Sequence, residues 1–350
     1  MIAGRYMVRR PLGSPGAQGE VYEVLDTHEN DVVALKVLTA LPPGGPWLEA
    51  QILRRLSDPH ILPIRNADHA LGQPYLVTEL ATHGALDGRL AAAGTCGLEV
   101  DDVVRWIRQA CHGIARAHAL RLLHNDIKPA NLFLNAQGEC LVADFGFAAI
   151  VSPGSTFAHP PGATAETAAP EVAVGWGTPH PTASVLSDVY SLGATAYWLL
   201  TAGSAHDFAG AADVAARMAI VASHSPRRLR DVAPHVPLSV ATAVETVMAR
   251  APRDRYLSVT ELAAALGARP SVARKWRRTD EHPGHLACWR GEHHGGGSTF
   301  VLCLETGARS TQRIITTVHA GSGNRVTRGC RGATTRAWAQ AVRSVMRALG

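Results

Sequence analysis

The chain has 350 residues, of which 46% are hydrophobic and 18% charged, a globular composition too apolar for a disordered chain and, at roughly 100–200 residues per domain, long enough for two or three domains. No apolar run reaches the roughly 18 residues that a membrane span needs; the most apolar stretch, residues 192–200, reads as a buried helix. The N-terminus lacks the apolar segment of a signal peptide, and six scattered cysteines (96, 111, 140, 288, 303 and 330) do not suit a disulfide framework, so the expectation is a cytoplasmic protein.

The net charge of +5 hides an asymmetry. From Pro270 onward there are 13 Lys+Arg against 4 Asp+Glu, a balance of +9, whereas residues 1–269 hold 21 and 25, a balance of −4. Only three of the 34 basic residues are lysines: Lys36, Lys128 and Lys275. An ammonium is a compact point charge that a forked guanidinium does not replace, so each lysine in an arginine-biased chain is informative.

In chain order, Tyr6 and Val8 lead into a Gly-rich segment, residues 12–20, and Val21, Tyr22 and Val24 lead out of it. This pattern predicts strand, turn, strand, with Gly13, Gly16 and Gly19 allowing backbone N–H groups to approach a phosphate; alone, such a segment is more often an ordinary hairpin. A third strand follows over residues 31–38. Lys36 stands in it among apolar neighbours, where an unpaired ammonium is costly, and Glu49 opens the next helical pattern and offers a carboxylate.

The strongest signal is His124-Asn-Asp-Ile-Lys-Pro-Ala-Asn131 followed by Asp144-Phe-Gly146. Pro129 keeps the first of these from becoming a helix, and Asn131 and Asp144 offer the hard oxygens that Mg²⁺ prefers. An amphipathic helix precedes the loop, with Val103, Ile107, Cys111, Ile114 and His118 near helical spacing. Short buried strands follow, at residues 132–134 and 140–143.

On these motifs, residues 1 to about 268 resemble a eukaryotic-like (Hanks-type) bacterial serine/threonine protein kinase. Val33-Ala-Leu-Lys36 is similar to the family's third-strand lysine motif and Glu49 to its ion-pair partner. Asp58-Pro-His-Ile61 resembles the turn into the fourth strand. Thr78 resembles the gatekeeper, with Glu79, Leu80 and Ala81 as the hinge. Ala169-Pro-Glu171, Ser187-Asp-Val-Tyr-Ser-Leu-Gly193 and Arg255 follow in family order, Arg255 standing where the family has the arginine that pairs with the Ala-Pro-Glu glutamate.

The resemblance implies an α+β, bilobal kinase fold: a β-rich N-lobe over about residues 1–80 and a helical C-lobe over 81–268. It implies an ATP-dependent phosphotransferase acting on protein hydroxyls with Mg²⁺ (or Mn²⁺). Asp126 and Lys128 would be catalytic. Asn131 and Asp144 would hold the metal. Gly13, Gly16, Gly19, Val21, Ala34, Lys36, Glu49, Thr78, Glu79 and Ala81 would bind the nucleotide. A lysine two places after the loop aspartate is the Ser/Thr form of this loop. The alternatives are a nucleotide-binding pseudokinase scaffold and a kinase fold acting on small molecules; the Lys128 loop and the long Ala-Pro-Glu segment speak against the latter.

Three departures from the family stand out. Ser14 holds the first glycine's place, with Pro15 beside it. Asn125 replaces the usual arginine that receives an activation-loop phosphate, so activity is expected not to depend strongly on phosphorylation at Ser152, Ser155, Thr156 or Thr164. The segment 165–168 around Thr164 is unusual, and peptide preference does not carry over from the family.

After a helix over residues 257–266 and a linker at 269–275, residues 276–350 form a basic unit of unrecognised family. About three strands (286–289, 300–304 and 313–318) and one helix (334–349, with Trp338, Val342, Val345, Met346 and Leu349 on one face) predict a small α+β domain. The leading reading is a module that recruits a protein substrate or regulator. Arginines 325, 328, 331, 336, 343 and 347 with Trp289 or Trp338 suggest a nucleic-acid face, but Trp338 belongs to the apolar stripe, so this reading is second. His282, His285, Cys288, His293 and His294 invite zinc; Cys288 lies in a strand pattern and the spacing matches no standard site, so solvated histidines and a core cysteine are expected.

Overall fold

The computed structural model describes residues 1–13, 19–38, 45, 47–178, 181–268, 274–280, 282 and 284–350. Strands β1 (Tyr6–Pro11), β2 (Gly19–Asp26), β3 (Asp31–Leu38), β4 (Ile64–Ala70) and β5 (Gln73–Glu79) form an antiparallel sheet in the order β1-β2-β3-β5-β4. Alternation selects the face: Tyr6, Val24, Val33, Leu35, Tyr75 and Val77 are buried together. Leu38 and Leu76 pack with Ala50 of helix α1 (Leu48–Arg55). That helix carries Glu49 in its first turn, a favourable place for an acid beside the helix dipole.

The second lobe is mostly helical. Helices α2 (Leu86–Ala92) and α3 (Val100–Ala119) lead into the catalytic-loop region, which is framed by short strands β6 (Leu122–Leu123), β7 (Leu132–Leu134), β8 (Cys140–Val142) and β9 (Ala149–Ile150). Helices α4 (Pro170–Val174), α5 (Val185–Thr201), α6 (Val214–Ser223), α7 (Leu229–Val232), α8 (Leu238–Val247) and α9 (Val259–Gly267) complete it. Helix α5 is buried along most of its length and starts in a capping box between Ser184 and Ser187. The α3 face expected from periodicity, Val103, Ile107, Cys111 and Ile114, is in the core.

The C-terminal unit departs from expectation in strand count. Among the described residues it has five antiparallel strands, not about three: β10 (Arg274–Thr279), β11 (Ala287–His293), β12 (Phe300–Thr306), β13 (Gln312–His319) and β14 (Arg331–Thr334), in sequential order, followed by α10 (Trp338–Ala348). Strand β10 begins inside the segment expected to be linker, and β14 ends on Thr334, the first residue expected to be helix. Both are edge strands, β10 mostly basic and β14 short and built of arginine and small residues, so neither carries an alternating apolar signal. Trp276 on β10 lies against Gly291, where a Cβ would come within 2.8 Å of the indole. The α10 stripe does bury Val342, Val345, Met346 and Leu349 on one sheet face with Trp289, Phe300, Leu302 and Leu304, each large side chain contributing roughly 1.5–3 kcal/mol.

Lys275 pairs with Asp101 at the start of α3. The Trp289 indole N–H donates to His235 Nδ1 at 3.3 Å, and the Arg343 guanidinium donates to the Arg230 carbonyl. Burial holds the His235 imidazole down at about 3 and that of His206 at about 4, both below the ordinary 6.5. The unfolded chain therefore takes up protons that the fold refuses. Stability is full above pH 6.5 and falls as pH drops from there towards 3, by up to about 1.4 kcal/mol per unit for each group. Melting temperatures from pH 7.5 to 5 should fall less steeply in His235→Gln; an unchanged slope would contradict this assignment.

Candidate active site

Lys36 on β3 reaches two carboxylates: its Nζ lies 3.2 Å from Glu49 Oε2 and 3.3 Å from Asp144 Oδ1. Burial pulls the ammonium down, but the two carboxylates outweigh it and leave it raised. Burial pushes Glu49 up against the pull of Lys36. Burial also opposes ionisation of Asp144, yet Lys36, His124 and Lys128 hold its carboxyl below the usual range. Asp144 takes the left-handed backbone conformation (φ +60°), and Phe145 beside it is buried against the His124 ring at 4.6 Å between centroids.

The loop between β6 and β7 presents Asp126 within a tight network. Lys128 Nζ donates to Asp126 Oδ2 at 2.7 Å and to Thr164 Oγ1 at 3.1 Å. Thr164 Oγ1 donates to Asp126 Oδ1 at 2.6 Å. Asn131 Nδ2 donates to the Asp126 carbonyl at 2.7 Å and to Oδ2 at 3.0 Å. With its amide nitrogen so engaged, Asn131 presents its carbonyl oxygen, a hard donor like the ionised carboxylate of Asp144. This donor set suits Mg²⁺. Asn131 and Asp144 are tied through the hydrogen bond from Ala143 N to Asn131 O, 3.0 Å.

The rest of the expected nucleotide site lies along the sheet. Gly13 follows β1 with φ +75°. Gly19 opens β2 with φ +149°, and a Cβ there would sit 1.9 Å from the Val37 carbonyl oxygen, so only glycine fits. Val21 is registered opposite Lys36, and Ala34 opposite Thr78. Glu79 ends β5 and turns its side chain outward to Arg65 at 2.9 Å. Ala81 lies in the connection to α2. Gly16, Ser14 and Pro15 lie outside the described residues.

Several structural partners were not read from the sequence. Asp188 at the start of α5 is fully buried; it accepts from His118 Nε2 at 2.8 Å and from the backbone N–H groups of His124 and Asn125, each at 2.9 Å. Burial opposes its charge, but these donors hold its carboxyl below the usual range. It is the one charged residue between Val185 and Leu200, and a carboxylate in so apolar a run signals an obligatory set of donors. Arg121 braces the activation segment through the carbonyls of Val151, Ser152 and Ser155. Arg217 on α6 pairs with Glu166. Asn125 has φ +65°, and its amide donates to the Phe147 carbonyl at 3.0 Å. By contrast, the pair that the family resemblance implied is present: Arg255 clamps Glu171 with two N–H···O contacts of 2.8 Å.

A protein kinase domain model matches residues 6–262, close to three quarters of the chain. The chain belongs to the protein kinase family. It is 29% identical to the serine/threonine-protein kinase PknE of Mycobacterium tuberculosis over 289 residues, covering 79% of this chain and 48% of that protein. It is 31% identical to PknL of Mycobacterium bovis over 280 residues (77% and 66%). It is 29% identical to PknD of Mycobacterium tuberculosis over 269 residues (75% and 39%). The chain thus spans about half the length of these relatives. Kinase-family membership carries ATP and a divalent metal ion with it. Among the described residues, no helix is long and apolar enough to cross a membrane.

Proposed function

We propose that this chain transfers the γ-phosphate of ATP to serine or threonine hydroxyls of proteins, with Mg²⁺ held by Asn131 and Asp144. The observation that carries the reading is the Asp126 carboxylate, fixed by Lys128, Thr164 and Asn131 beside the Lys36–Glu49–Asp144 triad. Phosphoryl transfer needs positioning and charge neutralisation more than covalent help. Asp126 orients the acceptor hydroxyl and takes its proton at a carboxylate oxygen. Lys128 stands where negative charge develops on the γ-phosphate. Lys36, aligned by Glu49, grips the α and β phosphates. Bound Mg²⁺ would neutralise the triphosphate. Val21 and Ala34 line the adenine site, with Thr78 at its back and Glu79 and Ala81 offering hinge backbone.

A pseudokinase reading is weaker, because the residues whose loss defines such proteins are present and assembled. The Arg255–Glu171 clamp under a long activation segment favours a protein acceptor over a small molecule. The basic C-terminal unit recruits a substrate or regulator in this reading, supported by its docking on the C-lobe through Lys275, Trp289 and Arg343. A nucleic-acid tether is less well supported: Trp289 and Trp338 pack on each other at 6.4 Å within a core instead of offering a stacking surface. The scattered cysteines support a cytoplasmic setting.

Transfer of label from γ-labelled ATP to the chain itself or to a generic basic protein tests the reading, with Asp144→Asn as the control that loses it. Equal incorporation by wild type and Asp144→Asn would end the mechanism. Because Asn125 is neutral and Arg121 already braces the segment through carbonyl oxygens, Ser152→Asp, Ser155→Asp and Thr156→Asp should each change the initial rate by less than about tenfold, the equivalent of 1.4 kcal/mol. A larger activation would show that a phosphate does the ordering after all.

A further inference from the structure

We propose that His282, His285, Cys288 and Cys303 form a closed zinc site in the C-terminal unit. The sequence offers the first three as neighbours but gives no reason to add Cys303. The fold adds it: β11 and β12 pair Cys288 directly opposite Cys303, on the sheet face turned away from α10, where both are buried with Val301. His282 and His285 lie on the connection from β10 to β11 and come down over the same face. One ring nitrogen of each and the two sulfurs all lie within 4.8 Å of one another.

The four ligand atoms are gathered close to the separations of one tetrahedral ion, the two Cys288–histidine edges at them and the two Cys303 edges about 0.5–0.6 Å inside them. Bonds of about 2.3 Å to sulfur and about 2.0–2.1 Å to nitrogen give tetrahedral edges of about 3.8 Å between sulfurs and about 3.6 Å between sulfur and nitrogen. Cys288 Sγ lies 3.7 Å from His282 Nδ1 and 3.6 Å from His285 Nδ1, while Cys303 Sγ lies 3.1 Å from His282 Nδ1 and 3.2 Å from Cys288 Sγ. Two thiolates and two imidazoles at such edges suit Zn²⁺ and leave no open position, which makes the site structural. A disulfide would need the sulfurs at about 2.05 Å, and it would leave two imidazole nitrogens gathered on them without a reason. Outside the site, His285 Nε2 faces Glu305 Oε2 at 4.0 Å, and Thr316 Oγ1 holds that carboxylate at 2.8 Å. A carboxylate behind a ligating histidine fixes the ring and its tautomer. His293 and His294 are exposed at the far end of β11 and stand outside the cluster.

Binding Zn²⁺ expels one proton from each thiol to solvent and leaves both imidazoles neutral, so the site carries no net charge. Its structural return is to tie the β10–β11 connection onto a sheet face that otherwise has only a small apolar cluster. A unit of roughly 80 residues is in the size range where a metal supplements a limited core.

The test uses the full chain, purified without a histidine tag from cells grown with zinc. Elemental analysis should find one zinc per chain, released to a chromogenic chelator when the thiols are mercurated. Exchange for Co²⁺ should give thiolate charge-transfer bands and the intense visible absorption of a tetrahedral ion. Cys303→Ser and His285→Ala should lose the metal, and His293→Ala should keep it. Should the variants fail to fold, chelator treatment of wild type provides the readout: amide exchange should rise in residues 284–289 and 300–304 and recover on adding zinc. Zinc-free wild type, a cobalt spectrum without thiolate bands, unchanged exchange on metal removal, or an intact mass two hydrogens light from a Cys288–Cys303 disulfide would each overturn the site.

Discussion

Asp126→Asn should lower the turnover rate by about 10²–10⁴-fold, the range expected for loss of a positioned general base, while leaving the dissociation constant for ATP within about threefold, less than 1 kcal/mol. The separation follows from the geometry. Asp126 makes its side-chain contacts with Lys128, Thr164 and Asn131, none of which is a residue of the β-sheet proposed to hold adenine. An asparagine keeps the shape and still accepts through Oδ1. However, it replaces a charged oxygen with an amide that cannot take a proton and that repels the Lys128 ammonium. Lys36→Met should show the opposite pattern, because Lys36, paired with Glu49 and Asp144, is the residue proposed to hold the α and β phosphates: weaker nucleotide binding together with slower transfer. Binding by fluorescence of a nucleotide analogue and single-turnover transfer on the same preparations separate the two. If Asp126→Asn weakens binding as much as it slows transfer, the carboxylate is a structural support and not the group that meets the acceptor hydroxyl.

What was legible in the sequence was whatever chemistry compresses into a few consecutive residues. The stretch from His124 to Asn131 must carry its acid, ammonium and amide on one short loop, so spacing alone exposes them. Lys36 and Glu49 are 13 residues apart, yet a charge in an apolar strand advertises its need for a counter-ion. Partners separated by long stretches of chain were not legible. Asp188 serves backbone groups more than sixty residues earlier, and Cys303 meets the His282–Cys288 cluster only because two strands happen to be in register. Register is a property of the folded sheet, and no local pattern announces it. The fold was misread at the two edges of the C-terminal sheet for a related reason. A strand exposed on its outer edge is free to be charged, as Lys275 and Arg277 show on β10, and the period-two signal then disappears. Trp276 was the single hint, and its meaning depended on a glycine fifteen residues away.

Arg255→Leu should destabilise the kinase domain by about 3–5 kcal/mol, the usual cost of breaking a buried ion pair from one side. The Arg255 side chain is fully enclosed, and its five N–H groups are all used. Nε donates to the Ala249 carbonyl at 2.8 Å. One terminal nitrogen donates to Glu171 Oε1 and the Leu186 carbonyl, both at 2.8 Å, and the other to Glu171 Oε2 at 2.8 Å and the Arg250 carbonyl at 3.1 Å. The guanidinium also lies 4.9 Å from the Tyr190 ring centroid. Lysine has three donors on a point charge and cannot reproduce this planar set, so Arg255→Lys should recover little of the loss. Leucine leaves the Glu171 carboxylate, about a quarter exposed, with Ser187 Oγ at 2.9 Å as its partner among the described residues, and leaves three carbonyls to find water in a closed space. The double variant Arg255→Leu/Glu171→Leu removes the stranded charge and should be more stable than Arg255→Leu alone, by a margin that chemical denaturation resolves. Additive losses would show that the two side chains stabilise the fold independently. A recovered double variant would locate the cost in the unpaired carboxylate, and would make the clamp a device for seating the end of the activation segment on α5 and not a large source of net stability.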